Sequence, residues 1–321
     1  MNELLQIDKE PKVNNRKAVL YKNKISYIRN HYIIYLLLMP AVILTFIFKY
    51  IPMYGIALAF KDYNYSKGIL GSAWVGFKYF EQFLNSPNFG TIFMNTFLLS
   101  AYGLILGFPV PIILAIMLNQ VQRAKIKKTI QLILYAPNFI SVVVVVGMLY
   151  LLLSSEGPIN RVVMLITGHP ILFMSDPQYF RSIYILSGIW QGAGWSSIIY
   201  AAALAGVDTQ LYDAARIDGA TLLQRIWYIE IPTIKPVIVI TLILAIGGIM
   251  GIGFEKAYLM QTGMNTSVSE IIATYTYKVG LQGGDYSFGT AVGLFNSLIN
   301  LVLLISANSI AKLLNEGYGL Y

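Results

Sequence analysis

The stretch Arg123-Ala124-Lys125-Ile126-Lys127-Lys128, followed by Leu132-Ile133-Leu134-Tyr135-Ala136-Pro137-Asn138-Phe139-Ile140-Ser141 and a Val-rich continuation to Leu153, sets the reading of the whole chain. Residues 132–153 contain no Asp, Glu, Lys or Arg. A run of that length crosses a hydrocarbon layer as a helix, which takes about 20 residues. The four basic residues just before it, with no acid among them, mark a cytoplasmic edge, because short loops rich in Lys and Arg stay inside.

Five more charge-free apolar runs lie outward from this one, at 32–48, 92–118, 182–206, 237–253 and 291–311. The first continues past Lys49 and Pro52 as a further apolar segment. Of the 321 residues 56% are hydrophobic and 12% charged, whereas a soluble domain carries about 25% charged residues. That composition excludes an ordinary water-soluble globule. The predicted fold is all-α, a polytopic membrane protein with six transmembrane helices and both termini cytoplasmic. Residues 1–31 form a basic cytoplasmic tail, 32–311 the transmembrane domain with a cytoplasmic loop at 207–236, and 312–321 a cytoplasmic C-terminal tail.

Charge placement gives the orientation. The segments 1–31, 119–131, 207–236 and 312–321 carry 15 Lys and Arg; 49–91, 154–181 and 254–290 carry 8. Acids divide 8 and 7, so nearly all of the net +8 is cytoplasmic. The basic surplus is therefore a topology signal, and no aromatic-interleaved basic patch points to nucleic acid. The six runs themselves carry no ionisable acid or base, which speaks against proton-coupled carriers and voltage sensors. With no Cys there is no thiolate metal site. His31 and His169 fall at a run edge and in an outer loop and make no metal or proton relay.

Several runs carry polar faces. Ser187, Gln191 and Trp195 recur every four residues and share one helix face, with Gly188, Gly192 and Ser196 on the next. Asn138 and Ser141, Asn296 and Asn300, and Gly247 and Gly251 pair at similar spacings. Glycine at such spacing permits close helix packing, and Asn, Gln and Ser hydrogen-bond across helices. Trp190, Gln191 and Trp195 also suit a saccharide path, since an indole offers an apolar face beside an N–H donor. Asn138, Asn296 and Asn300 are the further candidates for that path.

The segment Asp208-Thr209-Gln210-Leu211-Tyr212-Asp213-Ala214-Ala215-Arg216-Ile217-Asp218-Gly219-Ala220-Thr221, continuing to Ile229-Glu230-Ile231-Pro232 and Pro236, has no role in crossing a membrane. Asp208 is placed to N-cap a short helix, and Gly219 to end it in the left-handed conformation. A second short helix is expected from about 221 to 229, stopped by Pro232, with Pro236 starting the next span. Two short helices and a tight turn make a cytoplasmic docking knob.

This segment resembles the EAA signature of permeases in binding-protein-dependent ABC importers: an acid and two alanines, three residues, Gly, nine residues, then Ile-x-(Leu/Ile)-Pro. Here it reads Asp213-Ala214-Ala215, Gly219 and Ile229-Glu230-Ile231-Pro232, with Asp for the usual Glu and Ile231 for Leu. Asp218-Gly219-Ala220 and Pro236 are similar to the carbohydrate-uptake branch. Ile51-Pro52-Met53-Tyr54-Gly55, the stretch Ala59-Phe60-Lys61-Asp62-Tyr63-Asn64, Trp74-Val75-Gly76-Phe77, Ala136-Pro137-Asn138-Phe139-Ile140-Ser141 and Gly317-Tyr318-Gly319-Leu320-Tyr321 resemble permeases for complex oligosaccharides, the pectin- and alginate-derived type.

The resemblance implies a non-catalytic transport subunit of a bacterial cytoplasmic membrane. Its partners are then a second related permease in a heterodimer, two cytoplasmic ATPases that bind ATP and Mg, and an external solute-binding protein delivering the saccharide. The implied ATPase-coupling residues are Asp213, Ala214, Ala215, Ile217, Asp218, Gly219, Ile229 and Pro232. The chain has no G-x-x-x-x-G-K-[ST] loop, H-E-x-x-H or G-x-S-x-G of its own. An ion-coupled secondary sugar carrier and an integral membrane enzyme are the alternatives. The first calls for repeats or charged spans and the second for a charged or metal-binding cluster, and the sequence offers neither.

Overall fold

The computed structural model describes residues 30–314, with helix as the dominant element. The chain divides into two units between Ile56 and Ala57. The first is built on α1 (Tyr32–Thr45), which continues through a π turn at Phe46–Tyr50 into a 3-10 helix at Ile51–Phe60. Pro40 lies inside α1 and Pro52 in the 3-10 segment. Neither ends the helical run; at Pro52 the change from π to 3-10 bonding re-aims the backbone groups that the proline leaves unpaired. The tail 1–29 and the motif Gly317-Tyr318-Gly319-Leu320-Tyr321 lie outside the described residues.

In the second unit the principal helices are α2 (Phe89–Gly107), α3 (Pro109–Asn119), α4 (Ala124–Tyr135), α5 (Val142–Leu153), α6 (Pro158–Thr167), α7 (Pro177–Ala205), α8 (Thr209–Ile217), α9 (Leu222–Arg225), α10 (Ile231–Gly247), α11 (Phe254–Met260) and α12 (Tyr286–Leu314). Five helical stretches among the described residues are long and apolar enough to cross a membrane: Tyr32–Phe60, Phe89–Asn119, Val142–Thr167, Leu222–Gly247 and Tyr286–Leu313. The expected run at 182–206 lies in α7, a 29-residue helix whose Gly, Ser, Tyr and Gln side chains leave it outside those five.

Two sequence expectations are corrected. The run 132–153 is not one helix. Pro137 brings no N–H to continue the α4 ladder, the chain tightens into a 3-10 turn at Ala136–Phe139, and Ile140 and Ser141 are extended. Ser141 then caps α5, its Oγ accepting from the Val144 N–H at 3.4 Å. The apolar stretch is instead Val142–Thr167, and it includes Glu156 and Arg161, so the stretches that can span are not all free of charge. Nor does Pro232 stop a helix or Pro236 start one, since Pro236 lies inside α10. The backbone runs from α9 through a π turn at Ile226–Glu230 into α10. The π turn has i→i−5 bonding, so the missing proline N–H and the bulk of the ring fall where the α ladder is already broken.

α7 is the central element of this unit, packed against α2, α3 and α10. Gly194 is where the end of α4 meets it, the carbonyl of Leu134 occupying the place of a Cβ. Gly192, predicted as a packing position, has nothing within 4 Å. Gly247 does serve as one, against Leu304 of α12. Three apolar cores follow the layers. One gathers Phe83, Ile92, Met250, Phe288 and Val292; a second Leu99, Val146, Phe180 and Met260; a third Ala115, Tyr200, Leu204, Val207 and Ile234. The third core takes Val207 and Ile234 from the segment 207–236 itself, with Tyr212 and Ile229 packed against it. The only regular strands among the described residues, β1 (Lys61–Asp62) and β2 (Ala73–Trp74), form a small antiparallel pair, and Asp62 Oδ1 accepts from the Tyr79 hydroxyl at 2.8 Å.

Candidate functional site

The segment 207–236 is built from its caps. Asp208 Oδ1 accepts from the Gln210 N–H at 2.9 Å and starts α8. At the other end Gly219 takes φ +73°. There the Ala220 N–H donates to Ala215 O at 2.8 Å and the Gly219 N–H to Arg216 O at 3.1 Å, the Schellman arrangement that satisfies the last carbonyls of a helix. Thr221 and Gln224 then close a capping box, which starts the next helix within two residues. The result is a sharp, locally determined reversal. Asp213 pairs with Arg216 at 3.4 Å on the exposed side, and Ile217 is 86% exposed.

Beneath the tip lies a residue that the sequence reading treated as a variable position. Glu230 is 1% exposed. Its Oε1 accepts from Gln120 Nε2 at 2.7 Å, from Asn119 Nδ2 at 3.0 Å and from the Tyr212 hydroxyl at 3.2 Å. Asn119 Nδ2 also reaches the Tyr212 oxygen at 3.2 Å. Burial pushes the Tyr212 phenol above its ordinary range; the Asn119 hydrogen bond opposes this, and the neighbouring Glu230 carboxylate adds to it. A polar cleft of about 440 Å³ opens beside the cluster, lined by Tyr212, Asp213, Arg216, Arg225 and Glu230 among others. The legible signal was Asn119-Gln120 at the exit of a charge-free run, polar side chains that need a partner where the helix leaves the apolar layer.

The path candidates do not share one surface. Trp195 is half-exposed and lines a cavity of about 660 Å³ with Gly103, Gly107, Pro111, Tyr200 and Thr241. Its ring meets Phe139 edge-on at 5.4 Å between centroids. Trp190 opens on a separate apolar groove of about 370 Å³ with Val145, Met148 and Leu186; five helical residues separate the two indoles, which turns them about 140° apart. Gln191 Nε2 donates to Ile140 O at 2.9 Å, holding the break between α4 and α5. Asn138 is exposed in that break. Asn300 Oδ1 accepts from the Met250 N–H at 2.9 Å and Asn296 Nδ2 donates to Met250 O at 3.2 Å, so this pair ties down the backbone just past α10.

On the opposite end of α7 from the knob, Lys256 of α11 is only 8% exposed. Its ammonium donates to Tyr184 O at 2.8 Å and lies 4.8 Å from the Tyr184 ring. Burial lowers its pKa to about 8. No group of three or more His, Cys, Asp or Glu that could hold a metal ion is present among the described residues.

The described residues thus place a capped helical turn beside a buried polar cluster. Residues 107–318, about two thirds of the chain, match the family described as binding-protein-dependent transport system inner membrane component. The chain belongs to that family. This permease is 44% identical over 306 residues to the polygalacturonan/rhamnogalacturonan transport system permease protein YteP of Bacillus subtilis, covering 95% of this chain and 94% of that one. It is 43% identical to protein LplB of the same organism, over 87% and 88% of the two chains. A crystal structure of a bacterial ABC transporter involved in the import of the acidic polysaccharide alginate contains a chain 37% identical to it, with TM-score 0.83 and coverage of 91% and 99%. At 17% identity and TM-score 0.51, a chain of the MetNI methionine ABC transporter shares the fold alone. The permease has the type I ABC permease fold and is a multi-pass component of the cytoplasmic membrane. It is the transport subunit of a sugar or oligosaccharide importer, with the ATPase on a separate subunit.

Proposed function

We propose that the permease imports acidic polysaccharide fragments of the uronide class, received from an external solute-binding protein and released to the cytoplasm. The observation that supports this substrate most strongly is the full-length similarity to a polygalacturonan/rhamnogalacturonan permease, together with the similarity to a chain of an alginate importer. α7 serves as the sixth span, its polar face turned to the path, and both termini are cytoplasmic. A second, related permease completes the path, and each of two ATPases receives one knob. ATP and Mg are bound by those ATPases.

In this reading the exposed side of α8, with Asp213, Ala214 and Ile217 and the half-buried Ala215 beside them, sits in an ATPase groove. Asp218 and Gly219 make the turn, and Ile229 and Pro232 carry the motion into α10. Closure of the ATPases rocks the knob, and the spans exchange inward for outward access. Trp195 and its cavity form part of the saccharide path; Trp190, Gln191, Asn138, Asn296 and Asn300 shape the helices around it. Purification of the assembled transporter in vesicles, followed by uptake of a panel of neutral and uronate oligosaccharides, tests the substrate. Uptake of oligogalacturonates over neutral oligosaccharides of equal length is expected. Uptake of neutral saccharides alone overturns the proposal.

A further inference from the structure

We propose that Glu230 is the joint through which movement of the coupling helix reaches two membrane-crossing stretches at once. The inference rests on the coupling role of the knob given above and adds the residue that transmits its motion. Tyr212 belongs to α8, Asn119 ends α3 and Gln120 follows it, and Glu230 lies in the π turn between α9 and α10. One carboxylate oxygen therefore gathers donors from the knob and from the end of the Phe89–Asn119 stretch, while its own backbone belongs to Leu222–Gly247.

A carboxylate this deeply buried is costly unless each of its lone pairs is met. Oε1 is met three times over, whereas Oε2 is buried with no hydrogen-bond partner among the described residues, as is Nε of Arg225, which lines the same cleft. The two unmet groups are complementary and five residues apart across the π turn. Such a cluster has a second arrangement available to it, with Oε2 taking the Arg225 N–H when the cleft narrows. A joint with two hydrogen-bonded states suits a rocking knob, since coupling is carried by elements that have two discrete arrangements. The backbone supports this placement: a π turn supplies a weak point in the helix at the position of the charge.

The test uses the complete transporter in vesicles and reads saccharide taken up per ATP hydrolysed, alongside the amount of assembled complex. Tyr212→Phe removes one hydroxyl and leaves the ring in the third apolar core, so the complex is expected to assemble normally while uptake per ATP falls about threefold to tenfold. Glu230→Gln keeps an acceptor oxygen for Asn119 and Gln120 and removes the charge that Arg225 would meet; it is expected to give the same loss. Because both variants break one joint, the double variant is expected to be no worse than Glu230→Gln alone. Wild-type uptake per ATP in both assembled single variants overturns the inference, as does a double variant whose losses multiply. If the wild-type knob fails to crosslink to the ATPase at all, the docking role of α8 is wrong and the joint falls with it; a crosslinked knob with unaffected variants defeats the joint alone.

Discussion

The carbonyl of Leu134, at the end of α4, rests on the bare Cα of Gly194 in the middle of α7. No side chain fits between them, and the contact fixes where the chain leaves α4 and turns through Pro137 to Ser141. Replacing Gly194 with Val forces the helices apart, at a cost of about 1–3 kcal/mol or more for overpacking. The expected result is poor assembly measured as complex recovered from membranes. Gly192→Val, with nothing near its Cβ position, is expected to assemble; equal loss in both would sink the close-approach argument.

Gly219 carries a different kind of constraint. Its φ of +73° admits a β-branched residue only with backbone strain, and the left-handed conformation costs an L-residue about 1–2 kcal/mol. Gly219→Val is expected to leave the permease in the membrane and lower uptake severalfold, because the Schellman turn that aims α8 is lost. Uptake at the wild-type rate with normal abundance would contradict the coupling role.

The two indoles separate by phenotype. Trp195→Ala removes a ring that lines the large cavity and is worth about 1 kcal/mol as an aromatic contact, so uptake is expected to fall about fivefold with assembly preserved. Trp190→Ala empties part of an apolar groove and is expected to lower thermal stability with uptake per molecule retained. The reverse pattern moves the path to the other side of α7.

Lys256 gives a pH dependence of known sign. Its folded pKa of about 8 lies below the ordinary 10.5. Between those values the unfolded chain binds a proton that the folded chain has released, so this group's contribution makes stability rise with pH across that window and lowest below pH 8. Thermal midpoints of the solubilised permease at pH 7.5 and 10 are expected to differ less in Lys256→Met than in wild type. An equal difference in the two proteins would assign the pH dependence elsewhere.

Orientation is open to direct labelling, since the chain has no native Cys. Single cysteines at Lys128 and Arg216, both exposed, are expected to react only from the cytoplasm. Those at Ser66 and Met264, also exposed, should react only from outside. Inverted labelling would place the knob on the wrong face for an ATPase.

The sequence by itself determined the mostly helical membrane class, because apolar runs of about the length that crosses a bilayer core have few other fates. It also determined the geometry of the knob: Asp208, Gly219 and Thr221 act on groups within five residues of themselves, and such local rules are legible without a fold. What it left open depended on partners distant in the chain. The break at Pro137 needed Gln191 to hold Ile140; Gly194 was distinguished from Gly192 only by the arrival of Leu134. Pro232, read as a stop, was carried through by a π turn that α10 could continue. Glu230, an unremarked letter between Ile229 and Ile231, became a buried hub because folding brought Asn119, Gln120 and Tyr212, 18 to 111 residues away, around one carboxylate oxygen.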